Sequence, residues 1–568
     1  MAGKTGKVKR ISSNGASELV YVALGGLGEI GMNCYAYGLG PSDKRQWLMV
    51  DLGITFPEGD FEPGVDVILP DLRFIQEQRD NLAGLVLTHA HEDHFGAVIE
   101  LWPRIKCPVY ATPFAAALLK AKLAEYGGQT KIPIREIPID THFKVGNFDL
   151  EFISVAHSIP EPQALAIRTE HGLVLHTGDW KLDDHPLLGK PTASARLQQI
   201  GAEGVMAMIC DSTNALREGR SPSETDVGNS IMTIVKGAKR RVAMTIFSSN
   251  VSRIQAAANA AQATGRQLVV AGRAMHRMIE VAIETGHLPK GFKYHDQEHI
   301  AYLEPAQTLV LCTGSQGEPR AALARIADNQ HPHVKLSTGD LIIFSSRAIP
   351  GNEKPVGRIQ NKLVELGCEL VTDGDALVHV TGHPRREELR EMYGWIKPAL
   401  AIPMHGEARH MAAHAKLARE SGAGKTMIVR NGDVVRLGPG SSQVVDEVHT
   451  GRLFRDGRLL VDSEDAPVRE RRKLAIAGIA VVTLTLDAKG QTAADPDLIL
   501  DGIPYADTRG ANMEDLALDA VEQTLRTIPA KRRGDIDMVA DAVRRSVRAA
   551  IDQAWGKKPI VKVMVARV

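Results

Sequence analysis

Four residues of metal-ligating type lie within the short segment LTHAHEDHFGA, residues 87–97. His89 and His91 alternate along an extended segment and can point the same way, while Asp93 and His94 follow on the turn. Imidazole nitrogens and carboxylate oxygens are the ligands of catalytic zinc, which keeps positions open for water. One tetrahedral ion with an open position does not need four such ligands. The spacing therefore predicts two adjacent metal ions, with His89 and His91 on one and Asp93 and His94 on the other.

Further ligands must come from other segments that place a histidine or aspartate just past a predicted strand. The candidates are His157 in SVAHSIP, Asp179 in HTGDWK and His405 in PMHGE. Asp179 is the best candidate for a bridge, because a carboxylate can place one oxygen on each ion. Asp51, after WLMV, is expected to orient a ligand histidine without touching the metal itself. Isolated surface histidines or a regulatory metal site would explain one such residue, but they do not explain the whole set.

Short apolar runs between glycines and prolines predict the strands that position these ligands. The runs WLMVD, LAGLVLTH, DLEFISVAH, GLVLHTGD and VMAMICD each end in a histidine or aspartate. Polar residues at the carboxyl ends of successive strands share one open face of a sheet, where active sites of α/β folds lie. From about residue 221 to 371 the pattern changes to alternating strands and Ala-rich amphipathic helices, and then ALVHVTGH and ALAIPMHGE restore the first pattern. The middle region is therefore predicted to be an insertion.

The bulk composition is that of a globular protein without a membrane span. A chain of 568 residues should form about two to four domains. Lys+Arg and Asp+Glu both number 68, so net charge does not indicate an acidic partner. The five cysteines are far apart and fit a reducing cytoplasm, and the polar N-terminus does not resemble a signal peptide. GGLGEIG (25–31) is followed by a predicted strand and turn instead of a helix, so no nucleotide cofactor is expected.

The domain organisation follows from these changes of pattern. The predicted parts are a flexible arm at 1–17, a first domain at 18–215 and 373–450, an inserted α/β domain at 216–372, a polar linker at 451–475 and a small α+β domain at 476–568.

The motifs give the chain a resemblance to the metallo-β-lactamase superfamily, whose hallmark is H-x-H-x-D-H. It also resembles the β-CASP branch, in which a nucleic-acid-binding domain is inserted into that fold, and within the branch it is most similar to the bacterial ribonuclease J family. The matching segments span about residues 20–410 and include GGLGEIGMN, DLGITFPE, THAHEDHFGA, HSIPEP, TGDWK, CDSTNA, FSSN, CTGSQGEP, SSRAIPGNE, HVTGH and PMHGE. The resemblance implies an αββα sandwich with an inserted α/β β-CASP domain and a small C-terminal α+β domain.

The resemblance also implies roles for individual residues. One zinc would be held by His89, His91 and His157, the other by Asp93, His94 and His405, with Asp179 bridging. Asp93 and Asp211 would act in catalysis together with His383, which would contact the scissile phosphate. The positions that match the family's contacts to RNA phosphates are Ser248, Ser249, Asn250, His379, Val380, Thr381, Gly382 and His383.

Two loops of the predicted insertion are candidate phosphate cradles on physical grounds alone. TGSQGEP (313–319), which contains Ser315, follows a strand, and its glycines let backbone N–H groups approach an anion. SSNVSR (248–253) combines hydroxyls, an amide and Arg253 at a helix start. Ordinary strand–helix turns would look the same, and only a neighbouring metal nuclease favours the phosphate interpretation.

The expected function is a zinc-dependent ribonuclease in which a hydroxide activated by two metals attacks phosphorus. The resemblance implies 5′-to-3′ exonuclease activity favouring 5′-monophosphate ends, together with endonuclease activity, in RNA maturation and decay. The expected partners are single-stranded RNA with an accessible 5′ end and further copies of the chain, in a dimer or tetramer formed through the C-terminal domain. Manganese would suit the same ligands, and an additional structural cation stays open. A DNA-directed β-CASP nuclease and a catalytically silent RNA-binding scaffold are the alternatives.

Overall fold

The computed structural model describes residues 15–57, 59, 61–127, 130–349 and 351–568. Most of the expected N-terminal arm, residues 1–14, lies outside this range. The chain divides into two compact units, the first formed by Met1–Thr55 with Ile68–Leu453 and the second by Phe56–Val67 with Phe454–Val568. Across the described residues, no helix combines the length and apolar character needed to cross a bilayer.

Two mixed sheets packed face to face form the base of the first unit. The first contains, in spatial order, Gln443–Glu447, Asp433–Gly438, Glu18–Gly25, Cys34–Gly40, Gln46–Val50, Leu82–Val86, Val109–Ala111 and Ile134–Glu136. The second contains Lys425–Thr426, Leu400–Met404, Val205–Asp211, Gly172–His176, Gln163–Thr169, Phe148–Ser154 and His142–Val145. Alternate side chains of both sheets, such as Tyr21 and Leu150, meet in one buried core.

Helices cover the outer faces of this sandwich. The outer side of the second sheet buries Leu175 and Met208 against helices that carry Leu197, Met392 and Leu417. The helices of this part are Arg73–Glu77, Glu92–Phe95, Val98–Ile105, Pro113–Glu125, Ser194–Glu203, Arg386–Ile396 and Ala408–Glu420. The αββα sandwich predicted from the sequence is therefore confirmed.

A six-stranded parallel sheet forms the inserted part. Its strands, in spatial order, are His295–Asp296, Gln267–Ala271, Thr308–Cys312, Val242–Thr245, Leu341–Phe344 and Glu369–Val371. Its helices are Glu224–Gly237, Val251–Ala263, Arg273–Glu284, Ala322–Ala327 and Glu353–Glu365. The chain leaves the second sheet of the sandwich after Asp211 and returns to it at Leu400, where the two strands pair in parallel. This register confirms that the middle region is an insertion.

The second unit contains the small α+β domain. Its sheet has the order Thr492–Asp501, Ile479–Leu486 and Ile560–Arg567, and the helices Met513–Thr527 and Ile536–Trp555 cover one face. Residues of Ile479–Leu486 alternate between buried and half-buried, as expected for a strand with one covered face.

The segment 451–475 has more regular structure than the predicted linker. It contains the strands Arg452–Asp456 and Leu459–Asp462 and most of the helix Ala466–Ala477. That helix exposes most of its described side chains, so its polar composition reflects solvent exposure and not a lack of structure.

A buried ion pair joins elements of the insertion to the returning chain. The Arg253 guanidinium is fully buried and donates 2.8 Å to Oε2 of Glu224, itself buried at the start of the helix Glu224–Gly237. The same guanidinium donates 2.6 Å to the carbonyl of Val378 and also to the hydroxyl of Ser345. Arg253 thus ties together two helices, the end of a strand and the segment that leads to residues 379–383.

Removing this arginine should destabilise the first unit. In Arg253→Met, the Glu224 carboxylate loses its partner inside the protein, and we expect a loss of about 3–5 kcal/mol in the free energy of unfolding, measured by urea denaturation. The matched control is Lys416→Met, because Lys416 and Glu420 form an exposed pair at 3.9 Å whose loss should cost under about 1 kcal/mol. Equal denaturation midpoints for both variants would contradict the role of Arg253.

Candidate active site

The candidate ligands converge because the strands that precede them end at one edge of the sandwich. His89 follows Leu82–Val86, His157 follows Phe148–Ser154, Asp179 follows Gly172–His176, and His405 follows Leu400–Met404. The short helix Glu92–Phe95 turns Asp93 and His94 toward the same point. The structure forms three groups of mutually close ligand atoms from these residues together with His91, Asp211 and His383.

The first group consists of three histidines and Asp179. His91 Nδ1 lies 3.1 Å from His89 Nε2 and 3.0 Å from His157 Nε2. Oδ2 of Asp179 lies 3.8 Å from the first of these Nε2 atoms and 3.7 Å from the second. Three nitrogens and one oxygen facing a common point form a donor set that suits zinc.

The second group consists of Asp93, His94, Asp179 and His405. His405 Nε2 lies 3.1 Å from Oδ2 of Asp93, and His94 Nε2 lies 3.1 Å from Oδ2 of Asp179. The two groups share Asp179, which is the position predicted for a bridging carboxylate. All seven predicted ligands are therefore brought together in the two arrangements that the resemblance implied.

A third group places Asp211 and His383 beside the shared carboxylate. His383 Nδ1 lies 2.8 Å from Oδ2 of Asp211 and 3.8 Å from Oδ2 of Asp179. Asp211 is fully buried, whereas the side chains of His383 and Asp93 are 19% and 32% exposed. The exposed fractions mark the side from which a substrate can reach the centre.

Neighbouring groups fix which histidine nitrogen faces the centre. Asp51 is fully buried and lies 2.7 Å from His94 Nδ1, while its carboxylate also accepts two hydrogen bonds of 2.8 Å from the backbone N–H and hydroxyl of Thr88. The Thr88 hydroxyl in turn lies 3.0 Å from His89 Nδ1. The carbonyl of Gly382 lies 2.6 Å from His157 Nδ1. Each of these contacts engages Nδ1 and directs Nε2 toward the ligand cluster.

Burial keeps the histidines of the first group neutral. It lowers the pKa of His91 to about 4 and lowers the pKa values of His89 and His157 well below their usual range, with neighbouring histidines adding to the effect. Neutral imidazole is the form that binds a metal.

In the second group, neighbouring carboxylates favour the protonated form of the histidines. Burial opposes protonation of His94, but the charges of Asp179, Asp93 and Asp51 outweigh it and raise the pKa of His94 to about 10. The pKa of His405 is likewise raised well above its usual range, against burial, chiefly by Asp179. A bound cation would replace these protons as the balancing positive charge.

The residues present fit a pair of bound cations. Asp179 Oδ1 is buried 3.2 Å from His405 Nδ1 but lacks hydrogen-bond alignment with any described group. A buried carboxylate oxygen without such a partner is costly, and a metal ion would satisfy it. The nitrogen and oxygen donors suit zinc and also manganese.

Two glycines allow the backbone to approach this centre closely. A Cβ at Gly53 would lie 1.7 Å from the carbonyl oxygen of Asp93, and a Cβ at Gly382 would lie 2.4 Å from His157 Nδ1. The first glycine belongs to a loop that bonds to the backbone of residues 92–94, including 2.6 Å from Leu52 N to the His94 carbonyl. A side chain at Gly382 would therefore displace a histidine of the first group, and a side chain at Gly53 would displace Asp93 of the second group.

The predicted RNA-binding residues do not all have free side chains. Ser248 and Ser249 are half-buried, and Asn250 caps the helix Val251–Ala263 through a 2.9 Å bond from Arg253 N. Arg253 itself is fully buried and engaged by Glu224, Ser345 and Val378. The predicted phosphate contact of Arg253 is therefore not supported, because the helix start turns this side chain inward.

The remaining predicted residues, apart from Ser315, belong to the loop 379–383 beside the metal ligands. Thr381 accepts 2.9 Å from Asn214 Nδ2, while the Gly382 carbonyl holds His157. His379 is half-buried, and desolvation of its ring lowers its pKa to about 3. Val380 and Ser315 are 2% and 3% exposed, so neither can contact a phosphate without rearrangement.

Several supporting residues were not singled out from the sequence. Asn33 Nδ2 lies 3.0 Å from His94 Nε2 and 3.5 Å from Oδ2 of Asp93, and the Tyr35 hydroxyl donates 2.7 Å to Oδ1 of Asn33. The Thr213 hydroxyl lies 3.0 Å from His405 Nδ1. Both residues lie within segments that carry the family resemblance, but their side-chain types do not distinguish them from ordinary loop residues.

Comparison with family models matches four segments of the chain. Residues 28–198 match the metallo-β-lactamase superfamily, and residues 239–363 match the ribonuclease J β-CASP domain. Residues 375–429 match the Zn-dependent metallo-hydrolase RNA specificity domain, and residues 467–568 match the ribonuclease J C-terminal domain.

Several curated proteins are similar over nearly the full length. Ribonuclease J of Sinorhizobium meliloti is 49% identical over 97% of this chain and 98% of its own. Ribonuclease J of Mycolicibacterium smegmatis is 38% identical over 95% of both chains. A solved structure, that of a protein of unknown function from Enterococcus faecalis V583, has a TM-score of 0.50 at 15% identity and covers 74% of this chain and 100% of that one. This last likeness concerns the fold alone.

Metal affinity should rise with pH. His94 and His405 carry protons at neutral pH without a metal, and binding at the second group must release them. Lowering the pH from 8 to 6 should therefore weaken zinc binding, with about two protons released per bound pair of ions. Competition with a zinc-binding dye gives the affinity, and calorimetry in buffers of different ionisation enthalpy counts the protons. A pH-independent affinity would contradict this balance of charges.

Substitution of the two glycines should affect the two metal groups separately. Gly382→Ala pushes against His157 and should lower occupancy at the first group, while Gly53→Ala displaces Asp93 and should lower it at the second. We expect each variant to retain about one of two ions, counted by elemental analysis. The control is Gly228→Ala, because a Cβ there meets atoms at 3.7 and 3.8 Å, ordinary contact distances. Full occupancy in both test variants would show that these loops do not hold the ligands.

Proposed function

The chain belongs to the ribonuclease J family and is a metal-dependent ribonuclease, and we propose that it holds two zinc ions and degrades RNA from the 5′ end as well as internally. The observation that carries this proposal is the sharing of Asp179 by two ligand groups, one formed with three histidines and the other with Asp93, His94 and His405. A shared carboxylate is the arrangement expected for two neighbouring cations.

The chemistry that the bound metals supply is activation of a water and neutralisation of charge on the phosphate. His383 stands on the open side, oriented by the 2.8 Å contact between its Nδ1 and Asp211. Its other nitrogen, Nε2, is then directed away from Asp211, where it can donate to a phosphate oxygen or to the leaving oxygen. Asp211 acts through His383 and is held by the backbone N–H of Thr213 at 2.8 Å.

Recognition of the 5′ end is assigned to the loops that face this side. Ser248, Ser249 and Thr381 are half-buried residues that carry hydroxyl groups, and His379 and His383 are half-buried as well. A 5′-monophosphate held there would place the first phosphodiester bond at the metal centre. Hydrolysis by this route needs no 2′-hydroxyl, so preference for RNA over DNA must come from contacts to the sugars and bases.

The protein's assembly and compartment are also part of the proposal. The sheet of the C-terminal domain leaves one face uncovered by its own helices, with Ile499 and Met564 each more than half exposed. A second copy would cover this face in a dimer or tetramer. All five cysteines are free and buried, which supports work in the reducing cytoplasm.

Cleavage of one RNA with three different 5′ ends tests the proposal. RNA with a 5′-monophosphate should release mononucleotides fastest, RNA with a 5′-triphosphate or 5′-hydroxyl should be cut mainly inside, and a chelator should abolish both activities. Asp93→Asn should lower kcat by at least about a hundredfold, since it removes a ligand of the second group. The control is Asp80→Asn, because Asp80 is 95% exposed and outside the centre.

Different outcomes of these assays would contradict the 5′ pocket, the preference for RNA or the catalytic activity. Internal cuts that do not depend on the 5′ group, or unchanged trimming by Ser248→Ala combined with Ser249→Ala, would remove the 5′ pocket and keep the nuclease. Equal rates on DNA would favour the DNA-directed alternative. RNA binding without cleavage under any metal would favour a scaffold.

A further inference from the structure

Three arginines come together beside the metal centre from separate parts of the sequence. Arg217 lies in the loop after the strand Val205–Asp211, Arg347 follows the strand Leu341–Phe344, and Arg385 lies two residues after His383. Arg217 and Arg347 have no basic residue beside them and Arg385 is followed by Arg386 alone, so the sequence pattern does not reveal the cluster.

Backbone contacts place all three arginines around the loop 378–383. Arg217 N bonds at 2.9 Å to the carbonyl of Asn214, whose amide donates 2.9 Å to Thr381 and 3.2 Å to the His383 carbonyl. Arg386 N donates 3.0 Å to the Arg217 carbonyl, which brings the adjacent Arg385 alongside. Arg347 lies two residues after Ser345, whose hydroxyl donates 2.7 Å to the Val378 carbonyl.

The charges of this cluster are not balanced. Arg347 Nε lies 2.7 Å from Oδ2 of Asp373, but this is one carboxylate against three guanidinium groups. Arg385 Nε is buried and bonds to no described atom. Arg217 has a lowered pKa, first because of partial burial and then because of the charges of Arg347 and Arg385. Like charges held this close favour an anion between them.

Neighbouring arginines on the same surface each form an ion pair with a glutamate. Arg386 Nε lies 2.7 Å from Glu218, and Arg220 contacts Glu391. Carboxylates of the same surface therefore neutralise Arg386 and Arg220.

From this placement we propose that Arg217, Arg347 and Arg385 form an anion site for a backbone phosphodiester of single-stranded RNA, separate from the metal ligands. Guanidinium groups match phosphate oxygens in shape and keep their charge at all relevant pH values. A phosphate held here would fix the strand next to His383 while the metal centre holds the bond to be cut. The inference rests on the proposed ribonuclease function and names a subsite for its substrate.

The test is RNA binding by the metal-loaded full chain at several salt concentrations. The probe is a phosphorothioate single-stranded RNA with a 5′-monophosphate, which resists cleavage. In Arg217→Gln combined with Arg347→Gln, we expect affinity to fall about tenfold and the slope of log affinity against log salt to decrease by roughly 0.7 for each lost phosphate contact. Arg217→Lys combined with Arg347→Lys should restore much of the slope, because the charge returns.

Controls separate this inference from changes in folding and from the proposed function. Arg220→Gln should bind like the unsubstituted protein, and zinc content should be equal in all variants. Arg385→Gln, tested separately because this residue starts the helix Arg386–Ile396, should weaken binding in the same direction. Affinity and salt slope that stay unchanged in the double glutamine variant would overturn the site while the nuclease remained.

Two further outcomes identify the ligand. Millimolar inorganic phosphate should not compete with the RNA, and competition lost in the double glutamine variant would instead assign the site to free phosphate. Failure of the unsubstituted protein to bind or cut RNA would count against the proposed function itself.

Discussion

The constraint on which the structure depends is the burial of the Asp179 carboxylate among histidines. An ionised carboxylate in the protein interior is costly unless positive charge and hydrogen bonds surround it. Here His94 and His405 lie within 3.2 Å of its two oxygens. The strand Gly172–His176 brings this residue to the sheet edge, and every other ligand must be delivered to the same point by a different element. The αββα sandwich satisfies this condition because its strands end together there.

A second layer of contacts makes the ligand geometry specific. Asp51 is held by both polar groups of Thr88 and contacts His94 directly. The Thr88 hydroxyl also contacts Nδ1 of His89. Asp51 therefore helps to orient one histidine of each group, His94 directly and His89 through Thr88. The left-handed backbone conformation of Asp51, with φ of 61°, turns its side chain back toward these partners. Loss of such a contact would free a ring to rotate without removing any ligand.

The sequence predicts those parts of this arrangement that depend on residue type and strand position. His89, Asp179 and His405 could be identified because apolar runs end immediately before them, and these strands lie where predicted. Arg253 shows where such reasoning fails: a basic residue at a helix start suggests an anion site, but its direction depends on tertiary packing against Glu224 and Val378. The arginines around the loop 378–383 are missed for a related reason, because three distant segments contribute one each. Polar composition likewise could not show that 466–477 forms an exposed helix.

The insertion is connected to the chemistry through the loop that it supports. Val378 receives hydrogen bonds from Arg253 and Ser345, and five residues later His383 contacts Asp211 at the metal centre. Between them, Gly382 holds His157 through its carbonyl. A displacement of the inserted sheet would therefore shift a metal ligand and the histidine on the open side together. Under the proposed function, RNA held by the insertion and ions held by the sandwich would stabilise the same conformation of this short loop, and binding of the one would favour binding of the other.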